Sequence, residues 1–191
     1  RNGQPMDYGL DECMLWTVPV GDSGTLLRAL TVDQGDDQAP DGYIWVGSYN
    51  GQQVFKLHPD DGRILQTLDA GIQAYGMTIV SNGDMYVSGL GDGGLVRVDT
   101  RANQVVGRID NPAGLREGNT GSYGITTDRY GRIWQNGWDT FDAIGYNPAD
   151  GSWCRVTFPQ LDGMNQAGHG LTSDPSGRLW TALGGTGTSY L

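Results

Sequence analysis

Arg28, Tyr75, Tyr123 and His169 form the chain's most regular set of side chains able to do chemistry. Each stands directly before a small residue, an aliphatic residue and a threonine: Arg28-Ala29-Leu30-Thr31, Tyr75-Gly76-Met77-Thr78, Tyr123-Gly124-Ile125-Thr126 and His169-Gly170-Leu171-Thr172. A guanidinium, two phenols and an imidazole at one opening would suit an anionic or polyol ligand. His169, titrating near neutral pH, is the candidate catalytic base. The alternative is that the four cap a channel by hydrogen bonding to neighbouring strands.

Other positions extend this chemistry. Tyr49, Asn50, Asp92, Trp138 and Asp139 fall in loops, where aromatic, amide and carboxylate side chains suit recognition of a carbohydrate, a small molecule or a protein segment. Trp138 has the further option of tucking between sheets. Oxygen ligands for a divalent cation, Ca or Mg, are offered by Asp7, Asp11 and Glu12 near the N-terminus and by Asp36, Asp37 and Asp41 in an expanded turn. Neither group has the Asp-x-Asp-x-Asp-Gly spacing of a calcium loop, so turn building and a solvated loop are the competing explanations. The run Gly89-Leu-Gly-Asp-Gly-Gly94 imitates a dinucleotide fingerprint, but no helix pattern follows it to meet a pyrophosphate.

The elements that must position these residues come from a repeat. Thr31, Thr78, Thr126 and Thr172 recur 46 to 48 residues apart. Each opens a short extended run, a Gly- and Asp-rich turn, and an aliphatic–aromatic pair ending in Trp45, Tyr86, Trp134 or Trp180. A third and a fourth apolar run follow: Val54–Leu57 with Arg63–Leu68, Leu95–Val98 with Gln104–Ile109, and Ala143–Tyr146 with Trp153–Phe158. Four short antiparallel strands at this period describe a β-propeller blade. The expected fold is therefore all-β, with about four blades visible in a ring of roughly six to eight. A four-bladed ring closed by the two terminal pieces is the alternative.

The expected divisions are a loop over 1–10, an outer strand and connection over 11–25 with Cys13–Val18 as the strand, blades over 26–74, 75–122 and 123–168, and an incomplete blade over 169–191. The repeated aromatics are expected to pack between sheets. Cys13 and Cys154 fall on outer strands too far apart round such a ring to bridge.

Composition agrees and excludes some classes. The chain has 32 glycines in 191 residues and no apolar run at helical spacing, which favours turns and strands. Its formal charge of -10 disfavours a phosphate backbone as partner, so nucleic acid is excluded. No apolar stretch approaches the roughly 18 residues of a membrane-spanning helix.

On Tyr123-Gly-Ile-Thr126 with Gly131-Arg-Ile-Trp134, and His169-Gly-Leu-Thr172 with Gly177-Arg-Leu-Trp180, the chain resembles the streptogramin B lyase family and the wider NHL-like propellers. Ala143-Ile-Gly-Tyr-Asn-Pro-Ala-Asp-Gly151 is similar to that family's third strand and turn. The resemblance runs from Leu26 to the C-terminus and implies a propeller fold. It also implies metal-assisted lyase chemistry, with a histidine before Gly-aliphatic-Thr facing the funnel and a glutamate at the end of a second strand. His169 fills the first place, whereas Ser48, Gly89, Gly137 and Leu183 stand in the second. The run Tyr75-Gly-Met-Thr with Ser81-Asn-Gly-Asp-Met-Tyr-Val87 is similar to regucalcin and gluconolactonase propellers, which place a metal-binding asparagine where this chain has Tyr75.

Three functional readings follow. The first is a secreted or periplasmic propeller binding a ligand or protein through its loop-rich face and channel mouth. The second is a metal-dependent lyase or hydrolase with His169 in the funnel. The third is a structural repeat module of an extracellular assembly.

Overall fold

The computed structural model describes residues 13–91, 93–113, 115, 122–137, 140–158, 170–184 and 189–190. No helix occurs among them. The first sheet comprises β1 (Leu27–Val32), β2 (Ile44–Ser48), β3 (Gln53–Leu57) and β4 (Ile64–Asp69), antiparallel and in chain order. The second repeats it with β5 (Ala74–Ile79), β6 (Asp84–Gly89), β7 (Leu95–Asp99) and β8 (Gln104–Ile109). The third is built from β9 (Ser122–Thr127), β10 (Ile133–Gly137), β11 (Asp142–Tyr146) and β12 (Trp153–Thr157). A fourth unit pairs β13 (Leu171–Ser173) with β14 (Leu179–Thr181), and β15 (Leu183–Gly184) with β16 (Ser189–Tyr190).

The sheets are propeller blades. First strands pack on one another in succession, β1 on β5, β5 on β9 and β9 on β13, which places them innermost. The sequence repeat becomes one register: Thr31 lies opposite Trp45, Thr78 opposite Tyr86, Thr126 opposite Trp134 and Thr172 opposite Trp180. Two glycines of the motif permit the close approach. A Cβ on Gly76 would meet Ile125 Cγ2 at 2.6 Å, and one on Gly124 would lie 3.0 Å from the Leu171 backbone.

Apolar side chains fill the spaces between blades. Trp45, Val54, Ala74, Met77, Met85, Val87, Val96 and Val98 form the core between the first and second. Tyr86, Leu95 and Ile133, with Ile125 against them, join the second to the third. Each fully buried aliphatic side chain contributes about 1.5–3 kcal/mol relative to exposure.

One aspartate organises each inner hairpin turn. Asp128 Oδ1 accepts the Tyr130 and Arg132 amides, while Oδ2 accepts the Trp134 indole at 2.8 Å and pairs with Arg132 at 2.7 Å. Asp174 repeats this with Ser176, Arg178 and Trp180. Asp33 accepts the Gly35 and Tyr43 amides and the Trp45 indole. In the second blade the aromatic is Tyr86, and Asp84 takes Arg97 from β7 instead.

Two expectations need correction. Cys13–Val18 forms no strand; it is an extended segment whose Trp16 and Val18, with Val20 beyond it, pack against Val46, Phe55 and Leu57, and whose Trp16 indole donates to the Pro59 carbonyl at 2.7 Å. Trp180 is 50% exposed, unlike Trp45, Tyr86 and Trp134, because among the described residues β14 has a packed sheet on one side only. Cys13 and Cys154 are both exposed and are not bridged to each other.

Candidate functional site

The inner strands carry a shared irregularity where the sequence places its reactive set. In β1 the pairing runs from Leu27 opposite Ser48 to Ala29 opposite Gly47, skipping Arg28. In β5 it runs from Ala74 to Gly76, skipping Tyr75, and in β9 from Ser122 to Gly124, skipping Tyr123. Each residue is thus the extra one of a β-bulge, a distortion that re-aims a side chain and recurs beside active sites.

The bulges bring three of the four predicted residues together, with Tyr49 alongside. The Tyr75 and Tyr123 rings lie 4.9 Å apart at 43°, and Tyr49 meets Tyr75 nearly edge-on at 6.1 Å and 81°. The Arg28 guanidinium sits 5.7 Å from the Tyr75 centroid, within reach of a cation–π contact. Arg28 is exposed; the three rings are half-buried. Burial, then hydrogen bonding to Tyr123, raises the Tyr75 phenol above its ordinary value, against the opposing influence of Arg28. At neutral pH the Tyr75 phenol is therefore neutral.

The β2–β3 turn holds this array in place. Asn50 accepts the Leu26 amide at 2.8 Å and donates to the Gly24 carbonyl at 2.8 Å, while the Tyr49 amide donates to Leu26. The entry to β1 is thereby fastened beside Tyr49. Asn50, expected as a ligand contact, is exposed and bonds backbone with both ends of its amide.

His169, Asp92, Trp138 and Asp139 lie outside the described residues, as do the cation candidates Asp7, Asp11 and Glu12. Asp36 uses Oδ1 to accept the Gln38 and Ala39 amides and the Tyr43 hydroxyl, and the Gln38 amide is the main cause of its lowered pKa. Asp37 and Asp41 are exposed. Among the described residues no three His, Cys, Asp or Glu side chains gather as for a metal. The expanded turn is not wholly solvated either, because Asp33 and Ala39 are buried in it.

A second polar cluster, not anticipated from the sequence, lies on the opposite face between the first two blades. Lys56, only 7% exposed, donates to the Thr100 carbonyl at 3.2 Å and Asn103 Oδ1 at 3.0 Å. It sits 3.7 Å from Asp33 Oδ2 and 4.0 Å from the Tyr43 centroid. A cleft of about 430 Å³ opens there, lined also by Gln34, Asp36 and Arg101. These groups bond mainly to one another, with Arg101 on Gln34 and Gln34 on the Ser81 carbonyl, so they tie blade to blade. The available signal was that Lys56 is the chain's one lysine, set within an otherwise apolar third strand.

No family model and no curated protein matches the chain. Solved structures do. A streptogramin B lyase is 19% identical with a TM-score of 0.67, covering 91% of this chain and 55% of its own length. A catalytically inactive virginiamycin B lyase from Staphylococcus aureus with quinupristin is 17% identical with a TM-score of 0.67, at 91% and 57% coverage. The WD40 repeats of RRP9 are 15% identical with a TM-score of 0.62, at 88% and 48%. The chain spans about half the length of the structures it resembles. Its fold is that of a streptogramin B lyase-like propeller.

Proposed function

We propose that this chain is the ligand-binding portion of a propeller, taking a small molecule, a carbohydrate or an exposed segment of a protein at the mouth formed by Arg28, Tyr49, Tyr75 and Tyr123. One observation carries this. Three successive blades each bulge at the same position and direct a guanidinium or phenol to one cluster. A purely structural channel cap would be served by regular pairing and shorter side chains, without the cost of interrupting three ladders.

A saturation-transfer NMR screen of mono- and oligosaccharides and small carboxylic acids is the test. Hits that vanish in Tyr75→Ala, with its thermal midpoint retained, support the reading; hits insensitive to Tyr75→Ala and Tyr123→Ala place binding elsewhere and sink it. We further propose that the protein acts outside the cytoplasm, secreted or in the periplasm, which cell fractionation checks.

The lyase reading is favoured by the likeness to streptogramin B lyase and requires His169 with a divalent cation. Ser48, Gly89 and Gly137 at the ends of β2, β6 and β10 supply no carboxylate for it. Mg²⁺-dependent opening of a streptogramin B ring, lost in His169→Ala, would establish that alternative.

A further inference from the structure

We infer that the mouth selects ligands in which a carboxylate is attached to a six-membered ring, either a uronate sugar or an aromatic acid. This rests on the proposed binding role of the same site and adds the ligand's charge and shape.

The charge argument begins with the arginines. In this acidic chain the basic side chains are mostly matched: Lys56 to Asp33, Arg63 to Asp61, Arg97 to Asp84, Arg108 to Asp110, Arg132 to Asp128, Arg155 to Asp142 and Arg178 to Asp174. Arg101 bonds Gln34, and Arg129 reaches the Pro175 carbonyl. Arg28 has no hydrogen-bond or ion-pair partner among the described residues and rests only on the Tyr75 ring. Its five N–H donors form a planar fork that matches a carboxylate in two parallel bonds. Stacking on a ring that is itself braced by Tyr49 and Tyr123 restricts the fork before any ligand arrives.

The shape argument comes from the phenols. The Tyr75 and Tyr123 rings, 4.9 Å apart, and Tyr49 set nearly edge-on to Tyr75 make an aromatic wall beside the Arg28 fork. Such a wall suits a hydroxylated or aromatic ring lying against it. The Arg28 fork can only donate. An ammonium-bearing ligand would meet Arg28 as a like charge, and a neutral ring would leave the fork to water.

Isothermal titration calorimetry of the chain at low salt tests this with four probes: trigalacturonate and neutral galactotriose, 4-hydroxybenzoate and its amide. At least one acid should bind about tenfold or more tightly than its neutral counterpart. Which acid does so identifies the source of the ring. Arg28→Ala should erase that margin, and Arg28→Lys should restore only part, because an ammonium lacks the fork. Equal binding of acid and neutral probes, or a margin that survives Arg28→Ala, overturns the selectivity while leaving the binding site in place. Binding of none of the four overturns the selectivity, and the Tyr75→Ala comparison in the saturation-transfer screen judges the binding site separately. Thermal midpoints of the exposed Arg28 variants serve as the folding control.

Discussion

Asp128 is the residue on which the energetics of a blade turn can be read most directly. Its carboxylate is fully buried beside Arg132 and accepts the Trp134 indole. Burial pushes its pKa up, but the Trp134 and Arg132 hydrogen bonds outweigh that and hold it below the ordinary carboxylate range. Asp128→Ala leaves an indole and a guanidinium without their acceptor, and should cost about 3 kcal/mol in urea denaturation. Because the folded pKa is depressed, this stability is present above the unfolded value of about 3.9 and is lost as pH falls through the folded one. The acid limb of a pH–stability curve should therefore flatten below about pH 4 in Asp128→Asn. A variant whose acid limb matched the wild type would show that other carboxylates govern acid unfolding.

At the scale of strands, spacing between blades is set by small residues. Gly76 in β5 faces Ile125 in β9 so closely that Gly76→Ala drives a Cβ to 2.6 Å from Ile125 Cγ2. Overpacking of this kind costs about 1–3 kcal/mol. Ile125→Ala should recover part of the loss, giving a double-mutant cycle with a coupling of about 1 kcal/mol or more. Additive effects would mean that the blades do not press together there. Lys56 makes the complementary polar tie, reaching from β3 to Thr100 and Asn103 of the second blade. Lys56→Ala should cost about 3 kcal/mol by leaving Asp33 buried without its cation, again read by denaturant midpoint.

For the molecule as a whole, stacking in sequence order predicts graded stability, since each blade contacts only its neighbours. The second blade is flanked on both sides, and β6 is buried along its full length. The fourth unit shows a half-exposed Trp180. Hydrogen–deuterium exchange should therefore be slowest over β5–β8 and fastest over β13–β14. Uniform protection across all blades would indicate a single cooperative unit and contradict this picture.

The chain's own residues determined the blade: the threonine spacing, the Asp and Gly turns and the paired apolar runs each encode local geometry, and strand pairing within a blade is local. The same repeat marked Arg28, Tyr75 and Tyr123, because equivalent positions in similar units point to equivalent places round an axis. Only tertiary structure decided that these three are bulge residues, that Tyr49 joins them, and that both ends of the Asn50 amide bond backbone. It also decided that Trp16 and Val18 pack on the first blade and that Lys56 bridges two blades. Those outcomes depend on contacts between residues about 12 to 50 positions apart, and most of their partners are chosen by how the sheets stack, which no periodicity along the chain specifies.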